Sequence, residues 1–426
     1  MGGTAAQTSS ANLQAALELR DGVWLAHHRG YLMSSVFQPI FSFPHRRPVG
    51  YEGLVRVQDG QGVTILPAEF FERAAGFEEQ VHLDRLCRLL HVHNFVRQAP
   101  SDCWLFLNIH PSVLVHGALD ADTLATAVRA VEQAGLPIHR VVFEVTEAVL
   151  AQDAEIEAAV ESARQTGCLL ALDDFGAGHS NFDRVWRVHP EIVKLDRSLL
   201  HRAMDSQRIA RVMTQMVSLL HECGALVLLE GVQTQDEALL ALDADVDLVQ
   251  GYAFGHPEAA LPASFTVSEA IESAWSRLDE RQAHGRERHA KRLAPYQAAL
   301  KKALPGLRQG QALRASCLAL LALPDVQQVY LLDERGRELI RPIEPPQQRL
   351  ELLDHRFEPL ERAGDARWAR RPYFRRAVAE LGQVQMSRPY LSLHGARMCV
   401  TVSLAFWCQA KMQVLCADLD WVAAAD

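Results

Sequence analysis

Between about residue 30 and about residue 260, short apolar runs alternate with helix-patterned stretches, and nearly every apolar run carries a polar residue at or near its end. Those residues are Glu52, Asn108, Glu144, Asp173, Lys194, Glu230 and Gln250. Strands that alternate with helices build parallel βαβ units. A charge inside a buried strand is costly unless it is paired or bound to a metal. Recurrence at the same place in successive strands therefore means that these side chains meet, because random surface charge would not repeat in register. In a closed β/α barrel every strand end opens on one face, the face on which active sites are built. Counting an irregular first strand over 36–41 gives eight strands, as a TIM-like (β/α)8 barrel of the α/β class requires. A doubly wound open sheet satisfies the same alternation, since closure is not visible in sequence.

Taken in order, residues 1–10 are small and polar and 11–29 have helical spacing, giving an N-terminal tail and helix over 1–29. Pro39 demotes the 36–41 run to an edge or irregular strand. The second strand, 49–57, carries Glu52 and Arg56. Further strands are expected over 104–109, 141–146, 169–173, 191–195, 225–230 and 248–250. Helices are expected from Pro67, over 81–97, 123–134 with Gly135 as C-cap, 153–165, 198–223 as one long pattern, and 236–242. His91 and His93 share one helix but point to different faces, so they read as core or surface histidines and not as a metal pair.

The strand-end set is rich in oxygen ligands, and Asp174 adds another beside Asp173. An isolated Asp-Asp pair reads equally well as an Asx-type turn. With the other acids around it, the pair suits hard cations such as Mg²⁺ or Mn²⁺. So many carboxylates suggest two metals, which can hold the attacking and leaving oxygens of a phosphoryl displacement. Lys194 holds down the site's net charge, and Arg56 can fork onto a phosphate. Paired carboxylates such as Glu144 and Glu230 also occur in barrel glycosidases. The adjacent aspartates, the central lysine and the lack of strand-end aromatics argue against sugar.

At 426 residues, 49% hydrophobic and 22% charged, the chain is an ordinary globular sequence long enough for two domains. Its net charge of −9 provides no global basic field, so neither a nucleic-acid polymer nor an anionic membrane is an expected partner. The 8 cysteines are scattered without a Cys-x-x-Cys pair and read as reduced thiols in a cytoplasmic protein. No signal peptide and no run long enough to span a bilayer is seen.

These residues resemble the EAL-domain cyclic di-GMP phosphodiesterases, named for a Glu-Ala-Leu signature. The signature stands here as Tyr51-Glu52-Gly53-Leu54-Val55-Arg56. The family's other motifs follow in order: Gln38-Pro39-Ile40, Asn108, Phe143-Glu144-Val145-Thr146-Glu147, Asp173-Asp174-Phe175-Gly176-Ala177-Gly178, Lys194-Leu195-Asp196, Glu230-Gly231-Val232 and Gln250-Gly251-Tyr252. The resemblance implies a barrel over 30–262 that opens cyclic di-GMP to linear pGpG with two Mg²⁺ or Mn²⁺ ions, Ca²⁺ supporting binding but inhibiting turnover. It implies that Glu52, Asn108, Glu144 and Asp173 hold one metal, and that Asp173 and Asp174 hold the second. Lys194 and Gln250 would position the water, and Glu230 would act as base or outer metal support. Gln38, Leu54, Arg56, Asp196 and Gln250 would meet the substrate. Glu147 would anchor the loop after Asp174, which in the family lies at a homodimer contact. Two residues depart from the pattern: Gly53 replaces the alanine, a small-for-small exchange, and Gln233 replaces a second glutamate. The second departure keeps open a non-hydrolysing receptor for the dinucleotide.

A charged helical linker over 263–305 leads to a compositionally different region, 306–426. There 326–332 and 338–340 read as a hairpin, 398–406 and 412–419 as two further strands, and 371–377 as a helix start. This order resembles the small α+β PAS/Cache-like sensor domain that follows the barrel in EAL proteins of the YkuI type. The neighbourhood of Tyr373, Arg388 and Tyr390 reads either as a pocket for a small ligand or as packed core.

Overall fold

The structure, a computed structural model, describes residues 12–98, 102–110, 113, 128–146, 154–178, 182–262, 269–346, 366–392 and 398–420. The chain divides into two units, Met1–Arg281 and Gln282–Asp426.

The first unit carries strands β1 (Leu17–Arg20), β2 (Val23–His28), β3 (Tyr31–Ser42), β4 (Arg47–Gln58), β5 (Thr64–Ile65), β6 (Trp104–Asn108), β7 (Val141–Thr146), β8 (Leu169–Phe175), β9 (Ile192–Leu195), β10 (Leu226–Leu229) and β11 (Leu248–Val249). Strands β4, β6, β7, β8, β9, β10 and β11 run parallel in that order. β3 closes the ring by pairing antiparallel with β4 on one side and β11 on the other. The eight-stranded barrel is therefore closed, which decides against an open sheet, and its first strand is not an edge. Pro39 is tolerated because the N–H that it lacks would point to the side where Phe37 meets Glu258, between ladder partners. The strand is irregular as expected, with a register shift at Ile40/Phe41.

The helix expected over 11–29 does not form beyond a turn at 12–15. β1 and β2 make a hairpin, and a second turn joins β2 to β3. Each turn is a two-residue loop with left-handed backbone at both positions, Asp21-Gly22 (φ 50° and 83°) and Arg29-Gly30 (φ 47° and 84°). That is the twist a two-residue hairpin needs, and it outweighs the weak helical spacing. The long pattern over 198–223 is two helices, Arg197–Asp205 and Gln207–Glu222. Ser206 breaks it with extended backbone, and its hydroxyl caps the second helix at Ile209 N–H. The first unit also runs past 262: Ala270, Ile271 and Ala274 at the start of the Glu269–Arg308 helix are buried in the core cluster that lies outside the barrel strands.

The barrel interior is a layer of Ile40, Phe106, Val142, Ala171, Ile192, Leu228 and Leu248, drawn from seven of its strands. Side chains two residues apart share a strand face, about 6–7 Å apart along it. Two residues toward the C-terminal rim from Phe106, Val142, Ala171, Ile192, Leu228 and Leu248 stand Asn108, Glu144, Asp173, Lys194, Glu230 and Gln250. On β4 the corresponding step is Gly50 to Glu52. On antiparallel β3 it is Ile40 back to Gln38, which pairs with Glu52. The polar set is thus one layer of the barrel, stacked directly on its apolar plug.

The second unit holds an antiparallel sheet of five strands: β12 (Val326–Leu332), β13 (Val384–Met386), β14 (Tyr390–Leu391), β15 (Met398–Cys408) and β16 (Lys411–Asp420). β12, β16, β15 and β13 lie in that order, with β14 also on β15. One face packs on Tyr296, Leu300, Ala303 and Leu307 of the Glu269–Arg308 helix. The other packs on Tyr373, Phe374 and Ala377 of the Pro372–Ala379 helix. This is a smaller α+β domain. The hairpin after β12 is present as single bridges, Leu332 to Glu338 and Val329 to Ile343.

Candidate active site

Adjacent residues of a regular strand point to opposite faces, yet Asp173 and Asp174 both bring carboxylate oxygens to one cluster. The register of β8 on β9 explains how. Leu172 pairs with Val193 and Phe175 with Leu195, so β8 holds one extra residue opposite Lys194. This is a β-bulge, and Asp174 absorbs it with left-handed backbone at φ 60°. Asp173 Oδ1 accepts the Asp174 N–H at 3.0 Å and steadies the kink. As a result, carboxylate oxygens of Asp173, Asp174 and Glu230 lie within 4.8 Å of one another.

Lys194 is the hub. Its Nζ lies 2.6 Å from Glu144 Oε1, 2.6 Å from Glu230 Oε1 and 3.1 Å from Asp173 Oδ1, with the side chain 1% exposed. Burial pulls its pKa down, but Asp173, Glu144, Glu230 and Glu52 outweigh it and hold the pKa well above the usual lysine value. Glu52 accepts from Asn108 Nδ2 at 3.0 Å and from Gln250 Nε2 at 2.7 Å. Burial pushes the Glu52 carboxyl up; Lys194 and these two amides outweigh it and hold the pKa below the ordinary carboxylate value. Glu144 goes the other way, raised well above that range by burial and then by the charge of Glu52. Burial also lifts Glu230 to about 7, against the opposing charge of Lys194.

The donor set fits divalent cations. Glu144 Oε2 is buried and finds no hydrogen-bond donor among the described residues. The acids outnumber the one buried cation among them, and a divalent ion reverses the repulsion that drives Glu144 and Glu230 toward protonation. All-oxygen ligands match Mg²⁺ or Mn²⁺ better than zinc.

The groove beside this cluster is lined by Gln38, Glu52, Arg197, Glu230, Gly231, Gln233, Gln250, Gly251 and Tyr252. Sequence reasoning brought Gln38, Glu52, Glu230 and Gln250 here. Leu54 and Arg56 share the face of Glu52 on β4 but lie beyond the barrel rim, on the ribbon that β4 forms with β3. Arg56 Nη1 donates to the Val55 carbonyl at 3.1 Å. Asp196 is not in the groove lining: it caps the Arg197–Asp205 helix, its Oδ1 accepting the Ser198 N–H at 2.9 Å. Glu147 lies outside the described residues. Arg197 is the groove residue that sequence reasoning missed, since an arginine one place after a motif carries no periodic signal.

In the second unit, Tyr373 and Tyr390 line a cleft with Tyr330, Trp368, Arg371 and the buried Asp418; Arg388 is not in that lining. Asp418 accepts from Gln328 at 2.6 Å, Thr401 at 2.8 Å and Tyr330 at 3.1 Å. No described helix of the chain is long and apolar enough to cross a membrane.

Comparison with known proteins gives a family and a fold. The EAL domain family model matches residues 25–257. Pseudomonas aeruginosa RocR, a cyclic di-GMP phosphodiesterase by name, is 33% identical over 155 residues, 36% of this chain and 38% of RocR. The Bacillus subtilis EAL-domain protein YkuI is 27% identical over 221 residues, 51% of this chain and 53% of YkuI. The matched segments thus span less than two thirds of these relatives. The crystal structure of YkuI with substrate c-di-GMP and calcium has a TM-score of 0.75 at 20% identity, covering 91% of this chain and 96% of that one, which shows a shared fold.

Proposed function

The chain belongs to the EAL-domain family, and we propose that it is a metal-dependent phosphodiesterase that opens cyclic di-GMP to linear 5′-pGpG. The observation that carries this reading is the convergence of Asp173, Asp174 and Glu230 around one point beside the Lys194 hub. Glu52, Asn108, Glu144 and Asp173 would hold one Mg²⁺ or Mn²⁺, and Asp173 with Asp174 a second. When bound, such ions lower the pKa of water and neutralise charge on a phosphoryl group. Lys194 orients Glu230 and keeps the acids at fixed spacing. Glu230, paired with Lys194 on one side and open to the groove on the other, accepts the proton of the attacking water. Gln250 and Asn108 fix the Glu52 carboxylate from both sides. Arg197 offers a cation to the dinucleotide in the groove.

A homodimer, inhibition by Ca²⁺ and regulation by a small ligand in the Tyr330–Tyr373–Tyr390 cleft belong to the same reading. One observation favours a second reading: Gln233 lines the groove where the family has an acid, as suits a receptor that holds the dinucleotide uncut. A chromatographic assay for pGpG with cyclic di-GMP and Mg²⁺ or Mn²⁺ decides between them. Product formation supports the enzyme; binding without product supports the receptor.

A further inference from the structure

Gly53 follows Glu52 on β4, and position 53 faces away from the barrel interior, toward the Phe77–Val96 helix. A Cβ placed on Gly53 would lie 3.0 Å from His91 Cγ, 3.1 Å from its Cβ and 3.2 Å from its Cδ2. These are distances at which one side must give. His91 is poorly able to do so. It is 4% exposed, and its Nδ1 shares a hydrogen bond of 2.8 Å with Ser35 Oγ. Phe37 packs edge-on against the ring at 6.3 Å. Ser35 Oγ also accepts from Asn94 Nδ2 at 3.3 Å. Asn94 in turn clamps the backbone of Trp24, accepting its N–H and donating to its carbonyl at 2.8 Å each. The imidazole is thus a fixed wall, held through the helix and the β2 strand.

We propose that His91 is a positioning residue for Glu52. The imidazole occupies the space that a Cβ at position 53 would need, and this close approach sets where the neighbouring Glu52 carboxylate stands between Asn108 and Gln250. The exchange of the signature alanine for glycine is then not a neutral small-for-small change but one half of a pair whose other half is His91. The inference rests on the reading of Glu52 as a metal ligand.

The test is calorimetric titration of the full chain with Mn²⁺ alone, beside kcat and KM for cyclic di-GMP. Gly53→Ala, which restores the signature alanine, is expected to bind Mn²⁺ ~10-fold more weakly, at the low end of outer-shell effects. Its kcat should fall while KM moves little. Ser35→Ala adds no atom but frees the ring, and should weaken Mn²⁺ in the same direction by a few-fold. In Gly53→Ala/His91→Ala the penalty should be smaller than the product of the two single changes, because the methyl fills space left by the ring. If wild type binds Mn²⁺ and Gly53→Ala and Ser35→Ala bind it equally well, the positioning role is overturned alone. Multiplicative penalties in the double variant also overturn it. A wild type that binds no Mn²⁺ overturns the metal reading and this inference together.

Discussion

Lys194 Nζ and Glu230 Oε1 face each other at 2.6 Å across the seam between β9 and β10, the lysine 1% exposed and the carboxylate 23%. The cation is locked in; the acid keeps one side toward the groove. Glu230→Gln preserves shape and hydrogen bonding but removes charge and basicity. Turnover should fall by ~10²–10⁴-fold, the range of a lost general base. Affinity for cyclic di-GMP, measured in Ca²⁺, should change little, because the loss belongs to the transition state. A variant that cleaves at the wild-type rate would remove Glu230 from the proton transfer.

The raised pKa of Glu230 has a sign in stability. An unfolded glutamate ionises near 4.5, whereas in the fold it holds its proton to about 7. Between those values the native state binds the extra proton, so stability falls as pH rises and levels off above about 7. The loss from this group is at most about 3 kcal/mol. Chemical denaturation of metal-free protein from pH 5 to pH 8 should show that decline. Glu230→Gln, which cannot titrate, should lose this part of it, and Mn²⁺ should stabilise wild type more at pH 8 than at pH 5. A slope unchanged by the substitution would assign the decline to other groups.

What was legible in sequence has a common physical cause. Asn108, Glu144, Asp173, Lys194, Glu230 and Gln250 each stand two residues beyond an interior apolar side chain, so local period alone places them in one layer. The hairpins at Asp21-Gly22 and Arg29-Gly30 are hidden because the spacing of apolar residues over 11–29 mimics a helix, and the turn dipeptide Asp-Gly is the only local sign against it. The boundary near 262 missed that Ile271 and Ala274 complete the core of the first unit, a contact fixed only in three dimensions. The close approach of Gly53 and His91 joins residues far apart in the chain, and no periodicity announces it.

Ile271 makes the boundary testable. It is fully buried, and nearby Trp275 donates from Nε1 to the Phe43 carbonyl at 3.3 Å. A fragment ending at 281 should unfold cooperatively, because it keeps the start of the Glu269–Arg308 helix, which covers this core. One ending at 262 should be destabilised by several kcal/mol, and Ile271→Ala in the longer fragment should cost ~2–5 kcal/mol. Equal melting of the two fragments would mean that the helix start is dispensable to the barrel.

Asp174 separates the charge of the site from its backbone. Its φ of 60° is a conformation that Asp and Asn tolerate and branched residues resist. Asp174→Asn should therefore fold with unchanged stability, since asparagine accepts the left-handed bulge and fills the same volume. It should nonetheless lose turnover by at least ~10²-fold, because a cation held by carboxylates depends on their charge. Asp174→Val should lose turnover equally and in addition cost ~1–2 kcal/mol, the strain of a β-branched side chain in that backbone region. Paired measurements of pGpG formation and of denaturant midpoint distinguish the two effects. If both variants are equally stable, the bulge does not require the left-handed turn at 174. If Asp174→Asn turns over like wild type, the second metal does not rest on this carboxylate.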